Sequence, residues 1–74
     1  MSDSQENYAV ERSLVLRLEL RFLEKKKEEA EEFLEKNPNT VAKDDVELLI
    51  HKLNLLIYRY KSVIKDLENV KKEQ

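Results

Sequence analysis

The stretch SLVLRLELRFLE, residues 13–24, supports two readings at once. Leu14, Leu16, Leu18, Leu20 and Phe22 alternate with Val15, Arg17, Glu19 and Arg21, close to the two-residue period of a β-strand. The residue types argue for the other reading. Between residues 11 and 39 only Val15 is β-branched, and Leu, Arg, Glu, Lys and Ala, all good helix formers, dominate. The stretch runs without a turn signal into EKKKEEAEEFLEK, and no other segment offers it a partner strand. It is read as helix.

Outward from there, turn chemistry occurs at one place, KNPNT, residues 36–40. Pro38 lacks an N–H and biases Asn37 away from helical angles, so the first helix should stop near Lys36. The second should start between Thr40 and Asp45. Either Thr40 caps it, or Asp44 and Glu47 form a capping box. Beyond this point Val46, Leu49, Leu53, Leu56, Tyr60, Val63, Leu67 and Val70 alternate spacings of three and four, a heptad seam that Ile50, Ile57 and Ile64 widen. Leu16, Leu20, Leu23, Lys27, Ala30 and Leu34 form the matching seam before the turn, extended by Ser13 and Ala9. Lys27 is a polar departure within it, expected to snorkel or to set the register. The expected fold is all-α: an antiparallel two-helix hairpin, coiled-coil-like, with a frayed polar N-terminus. It forms a single domain over residues 1–74, with helix 1 over about 7–36, a turn at 37–40 and helix 2 over about 41–71.

The composition narrows the function. The chain has 74 residues, no cysteine and no glycine, so disulfides, thiolate metal sites and glycine-rich phosphate loops are excluded. Charged residues make up 41% with a net charge of −2, and that balance argues against nucleic acid as an obligatory partner. No apolar run is long enough to cross a membrane, and MSDSQENYAV lacks the pattern of a secretory signal, so a cytoplasmic location is expected. His51 with Glu47 one turn earlier could supply half a metal site, but there is no second histidine to complete it. Ser13 and Ser62 lack a readable base and orienting acid. Arg12, Arg17 and Arg21 share one side of helix 1 but fall on its polar arc. No enzyme activity, cofactor, metal or small-molecule substrate is expected. The run KKKEEAEE, residues 25–32, reads as self-paired, solvated helix surface.

The apolar surplus is the informative feature. Leu14, Leu18 and Phe22 make a second stripe on helix 1, apart from the seam, with Val15 beside them. Leu48, His51, Leu55 and Tyr58 repeat the feature on helix 2. A hairpin has no third layer to cover such stripes, and a thin seam offsets poorly the ordering of so many residues. Another protein chain is therefore expected to complete this one, with Leu14, Leu18, Phe22, Leu48, Leu55 and Tyr58 as partner-binding residues.

The segment LNLLIYRYKSVI, residues 53–64, resembles the second helix of the small needle co-chaperones of bacterial type III secretion systems, the YscE, PscE and SsaE type. The aliphatic pair followed by aromatic–Arg–Tyr (Leu56, Ile57, Tyr58, Arg59, Tyr60) carries the likeness over about ten residues; chain length and the hairpin agree with it. The resemblance implies pairing in the cytoplasm with a helical-repeat chaperone, the two together keeping the needle subunit or a related secreted protein soluble until export. Leu55 and Tyr58 would be anchors on that partner. The other expectation is a homodimeric four-helix bundle of the Rop sort, regulatory or RNA-binding, which covers the stripes by self-association.

Overall fold

The computed structural model describes residues 2–72, with side-chain surroundings for residues 7–69. It consists of two helices, α1 (Ser2–Lys36) and α2 (Lys43–Lys72), packed antiparallel, with no strand among the described residues. The fold is the expected all-α hairpin, and residues 13–24 are helical throughout. The helical path begins at Ser2 rather than near residue 7, taking in the polar stretch expected to fray.

The end of α1 is built by Asn37. Its backbone N–H and its side-chain amide both donate to the Phe33 carbonyl, at 2.9 and 3.0 Å. Pro38 then occupies the second position of a turn closed by Thr40 N–H to Asn37 carbonyl at 3.1 Å, where its fixed φ fits. The connection extends to residue 42, because α2 starts at Lys43 rather than near 41. Thr40 Oγ1 accepts from Ala42 N–H at 3.3 Å. The Asp44–Glu47 capping box does not form: Asp44 and Asp45 already lie in the first turn, where their charges favour the helix N-terminus.

The α1 seam is the one expected: Ala9, Leu16 and Ala30 are buried, and Ser13, Leu20, Leu23, Lys27 and Leu34 half-buried. The Ser13 hydroxyl donates to the Val10 carbonyl at 2.9 Å, which satisfies it inside the seam. The α2 seam differs from expectation at every second position. Val46, Ile50, Leu53, Ile57, Tyr60, Ile64 and Leu67 face α1, whereas Leu49, Leu56 and Val63 stay exposed. The isoleucines expected to widen the face are its core. At about 100° per residue, Ile50 and Leu49 lie equally far on opposite flanks of the Val46–Leu53–Tyr60 line, so the heptad admits either and the packing of α2 on α1 selects the isoleucines. Val70 lies outside the residues with described side chains.

Three cross-helix pairs mark the register: Tyr60 with Glu19, Lys61 with Glu24, and Arg17 with Glu68. In that register Leu16 stands level with Ile64, Leu23 with Ile57 and Ala30 with Ile50. The result is a rod of 57 × 15 × 13 Å. Its radius of gyration is 16.8 Å, against about 11 Å for a compact chain of this length. A rod two helices wide can enclose only one line of side chains.

Candidate protein-interaction face

Heptad letters show what surrounds that line. In α1, Ser13, Leu20, Lys27 and Leu34 are a, and Ala9, Leu16, Leu23 and Ala30 are d. In α2, Ile50, Ile57 and Ile64 are a, and Val46, Leu53, Tyr60 and Leu67 are d. In an antiparallel pair, equal letters flank the same side, so e and b of both helices share one broad face and g and c the other. The ion pairs agree, since Lys61, Glu24, Arg17 and Glu68 are all e positions.

The two faces differ in kind. On the e/b face Arg17, Arg21, Glu24, Glu28, Glu31 and Glu35 of α1 meet Asp44, Glu47, Lys61, Lys65 and Glu68 of α2. On the g/c face stand Val15, Phe22 and Phe33 of α1 and Leu49, Leu56 and Val63 of α2, with Tyr8 toward the N-terminus. Thirteen large hydrophobic side chains are exposed among the described residues, and seven of them lie here. Phe33 and Leu49 line one shallow groove near the loop with Lys26, Glu29, Ala30 and Val46. Lys26 lies over the Phe22 ring, its Nζ 5.4 Å from the centroid, and also meets Glu29 at 3.2 Å. Glu19 accepts the Tyr60 hydroxyl at 2.5 Å at the edge of the same face. That bond raises the Tyr60 pKa above the ordinary 10.0, with desolvation and the Glu19 charge adding to it and Arg12 opposing.

All six residues expected to bind a partner are exposed, but they do not gather on one face. Phe22, 60% exposed, belongs to the g/c face. Leu18, Leu48 and Leu55 are at f, on the outer backs of the helices, and Leu14 and Tyr58 are at b, on the charged side. A repeat of four, such as Leu14–Leu18–Phe22, drifts about 40° per step around a helix, so that stripe crosses from one face to the other. Sequence reasoning did not single out Phe33 as a site residue, and it assigned Leu49, Leu56 and Val63 to the seam. The seven-residue spacing of these last three was a legible signal; which flank of the seam they occupied was not. His51 is exposed, and no group of three or more His, Cys, Asp or Glu among the described residues is arranged to hold a metal.

Fold and face together define the class: a helical hairpin whose exposed large apolar side chains are concentrated on one of its two broad faces. No protein-family model, curated protein or solved structure matches the chain. No helix among the described residues is long and apolar enough to cross a membrane.

Proposed function

We propose that the chain is a non-enzymatic protein-interaction module acting in the cytoplasm, whose g/c face is covered by another helical chain. The observation that carries this reading is the asymmetry of the rod. Val15, Phe22, Phe33, Leu49, Leu56 and Val63 share one broad face, while the opposite face is mostly charged and carries only Leu14 and Tyr58 of the exposed large hydrophobic side chains. Burying a large apolar side chain contributes roughly 1.5–3 kcal/mol, and six on one plane suit a helix-on-helix layer rather than scattered exposure.

The particular role is that of a type III secretion co-chaperone, pairing with a helical-repeat chaperone to hold the needle subunit or a related secreted protein unpolymerised. The likeness of LNLLIYRYKSVI, residues 53–64, supports it, and Leu56 within that segment lies on the apolar face. RNA binding has less support, because Lys61 and Lys65 stand among Glu47, Glu68 and the α1 glutamates rather than in a continuous basic strip.

The test is co-expression with the helical-repeat chaperone and needle subunit of a type III secretion system, followed by size-exclusion chromatography. A stable complex with the natural chain, lost in the Phe22→Asp/Leu56→Asp double variant whose helicity is retained, is the expected result. No complex with any such pair would sink the secretion role. A complex indifferent to both substitutions would sink the assignment of the face.

A further inference from the structure

We infer that, in the absence of a foreign chain, a second copy of this chain covers the g/c face, in a two-fold four-helix bundle with the two loops at opposite ends. This rests on the reading above that the g/c face is an interaction surface, and it names an occupant and a geometry for it. The charges within the face decide both. The g positions of α1, which border the midline of the hairpin, read Arg12, Glu19, Lys26 and Phe33 along the helix. The matching positions of α2 are Leu49, Leu56 and Val63, all apolar.

Two hairpins placed face to face can be related by a two-fold axis along the rod or across it. An axis along the rod sets α1 over α2 of the second copy, so Glu19 and Lys26 face the apolar Leu49–Leu56–Val63 row without an opposite charge, and each is level with its own copy diagonally across the centre of the bundle. Unpaired charges there, with like charges diagonally opposed, are unfavourable. An axis across the rod sets the row against its own reverse. Glu19 then meets Lys26 of the second copy and Lys26 meets its Glu19, while Arg12 faces Phe33, a cation over an aromatic ring. Glu29 at c comes within reach of Arg12 of the second copy. The axis passes close to Phe22 on α1 and, in the register of the hairpin, beside Leu56 and Ile57, the middle of α2 (Lys43–Lys72). The two rods therefore overlap along almost their whole length, and Leu56 packs on Leu56 and Leu49 on Val63. Every neighbouring pair of helices in the bundle is antiparallel, which also suits their dipoles.

The outer c row of α2 (Asp45, Lys52, Arg59, Asp66) is less ordered in this pairing. Lys52 lies near Arg59 of the second copy and Asp45 near its Asp66, like charges at the solvent-exposed rim, where such repulsion is weak.

Light scattering on the full chain, with charge-reversal variants and a spin label, tests this. The chain has no cysteine, so Asn39→Cys accepts a single label in the loop. A dimer is expected with labels about 50 Å apart, twice the rise from Phe22 to the loop at 1.5 Å per residue. Glu19→Lys or Lys26→Glu alone should weaken dimerisation by about tenfold or more, and the double variant should restore most of the loss. Within one chain Glu19 and Lys26 are two helical turns apart and do not touch, so this rescue reports contact between copies. Labels within about 25 Å, as an axis along the rod requires with helices about 10 Å apart, would overturn the geometry. So would the absence of rescue. A monomer at millimolar concentration would overturn the inference outright and leave the foreign-partner reading standing. A dimer that forms as inferred but is not displaced by the helical-repeat chaperone would instead count against the secretion role.

Discussion

Tyr60 shows how a seam residue at the edge of so thin a core settles its polar end. Its ring lies half-buried against α1 and its hydroxyl reaches Glu19 on the neighbouring helix. Because the bond is to the protonated phenol, the folded-state pKa is raised. A raised pKa means the contribution is present through neutral pH and is lost as pH climbs past 10.0 toward the folded value. Ultraviolet titration of the tyrosines should show Tyr60 ionising above the ordinary value, and Glu19→Gln should bring it down. If Glu19→Gln leaves the titration unchanged, the hydrogen bond is not the cause. The contrast between Leu53 and Leu56 is sharper. Leu53 is 7% exposed and Leu56 is 41% exposed, although both fit the same heptad pattern. Leu53→Ala should cost about 2–5 kcal/mol in denaturant unfolding, and Leu53→Asp should unfold the hairpin. Leu56→Asp should leave helicity at low protein concentration nearly unchanged, within about 1 kcal/mol, while removing association. Equal losses of helicity from both aspartate variants would mean that Leu56 belongs to the seam after all.

At the scale of the elements, the helices are held in register by the seam, with exposed pairs at its margins. Arg17 and Glu68 are paired but exposed, so Arg17→Ala should shift stability by less than about 1 kcal/mol. The connection between Lys36 and Lys43 is solvent-exposed apart from Thr40 and Ala42, and only its own short hydrogen bonds shape it. Doubling its length with Gly and Ser between Pro38 and Asn39 should cost about 0.6 kcal/mol of closure entropy, read as a small drop in the denaturation midpoint. A loss of several kcal/mol would show that the turn helps to set the register. These ends were legible in the sequence because Pro38 and Asn37 act through local chemistry. The start of α2 was legible only to within a few residues, since Thr40, Asp44 and Asp45 are all good N-terminal residues and side-chain geometry chose among them.

For the whole molecule, the governing quantity is the ratio of enclosed to uncovered apolar surface. Six hydrophobic side chains are buried, none of them completely, against thirteen left exposed among the described residues. A rod so constituted gains stability from any chain that covers its face, so its melting temperature should rise with concentration of whatever covers it. Thermal unfolding of the pure protein at several concentrations reads this directly. A midpoint independent of concentration excludes self-coverage. The charged face should be indifferent: Arg21→Ala and Lys65→Ala should leave both the midpoint and its concentration dependence unchanged.

The sequence by itself determined that the chain is helical, where it turns, and that its apolar content exceeds what one hairpin can enclose. Each follows from local propensity, from proline's missing N–H, or from a count of apolar positions against one seam. It did not determine which residues form the face. Leu49 and Ile50, Leu56 and Ile57, Val63 and Ile64 are adjacent pairs that satisfy the heptad equally well. Leu14, Leu18 and Phe22 read as one stripe although they belong to different sides. Only the packing of α2 on α1 chose the isoleucines for the core and turned the neighbouring leucines and valine outward. A heptad fixes the period of a seam but not its angular centre, which is set by the other helix.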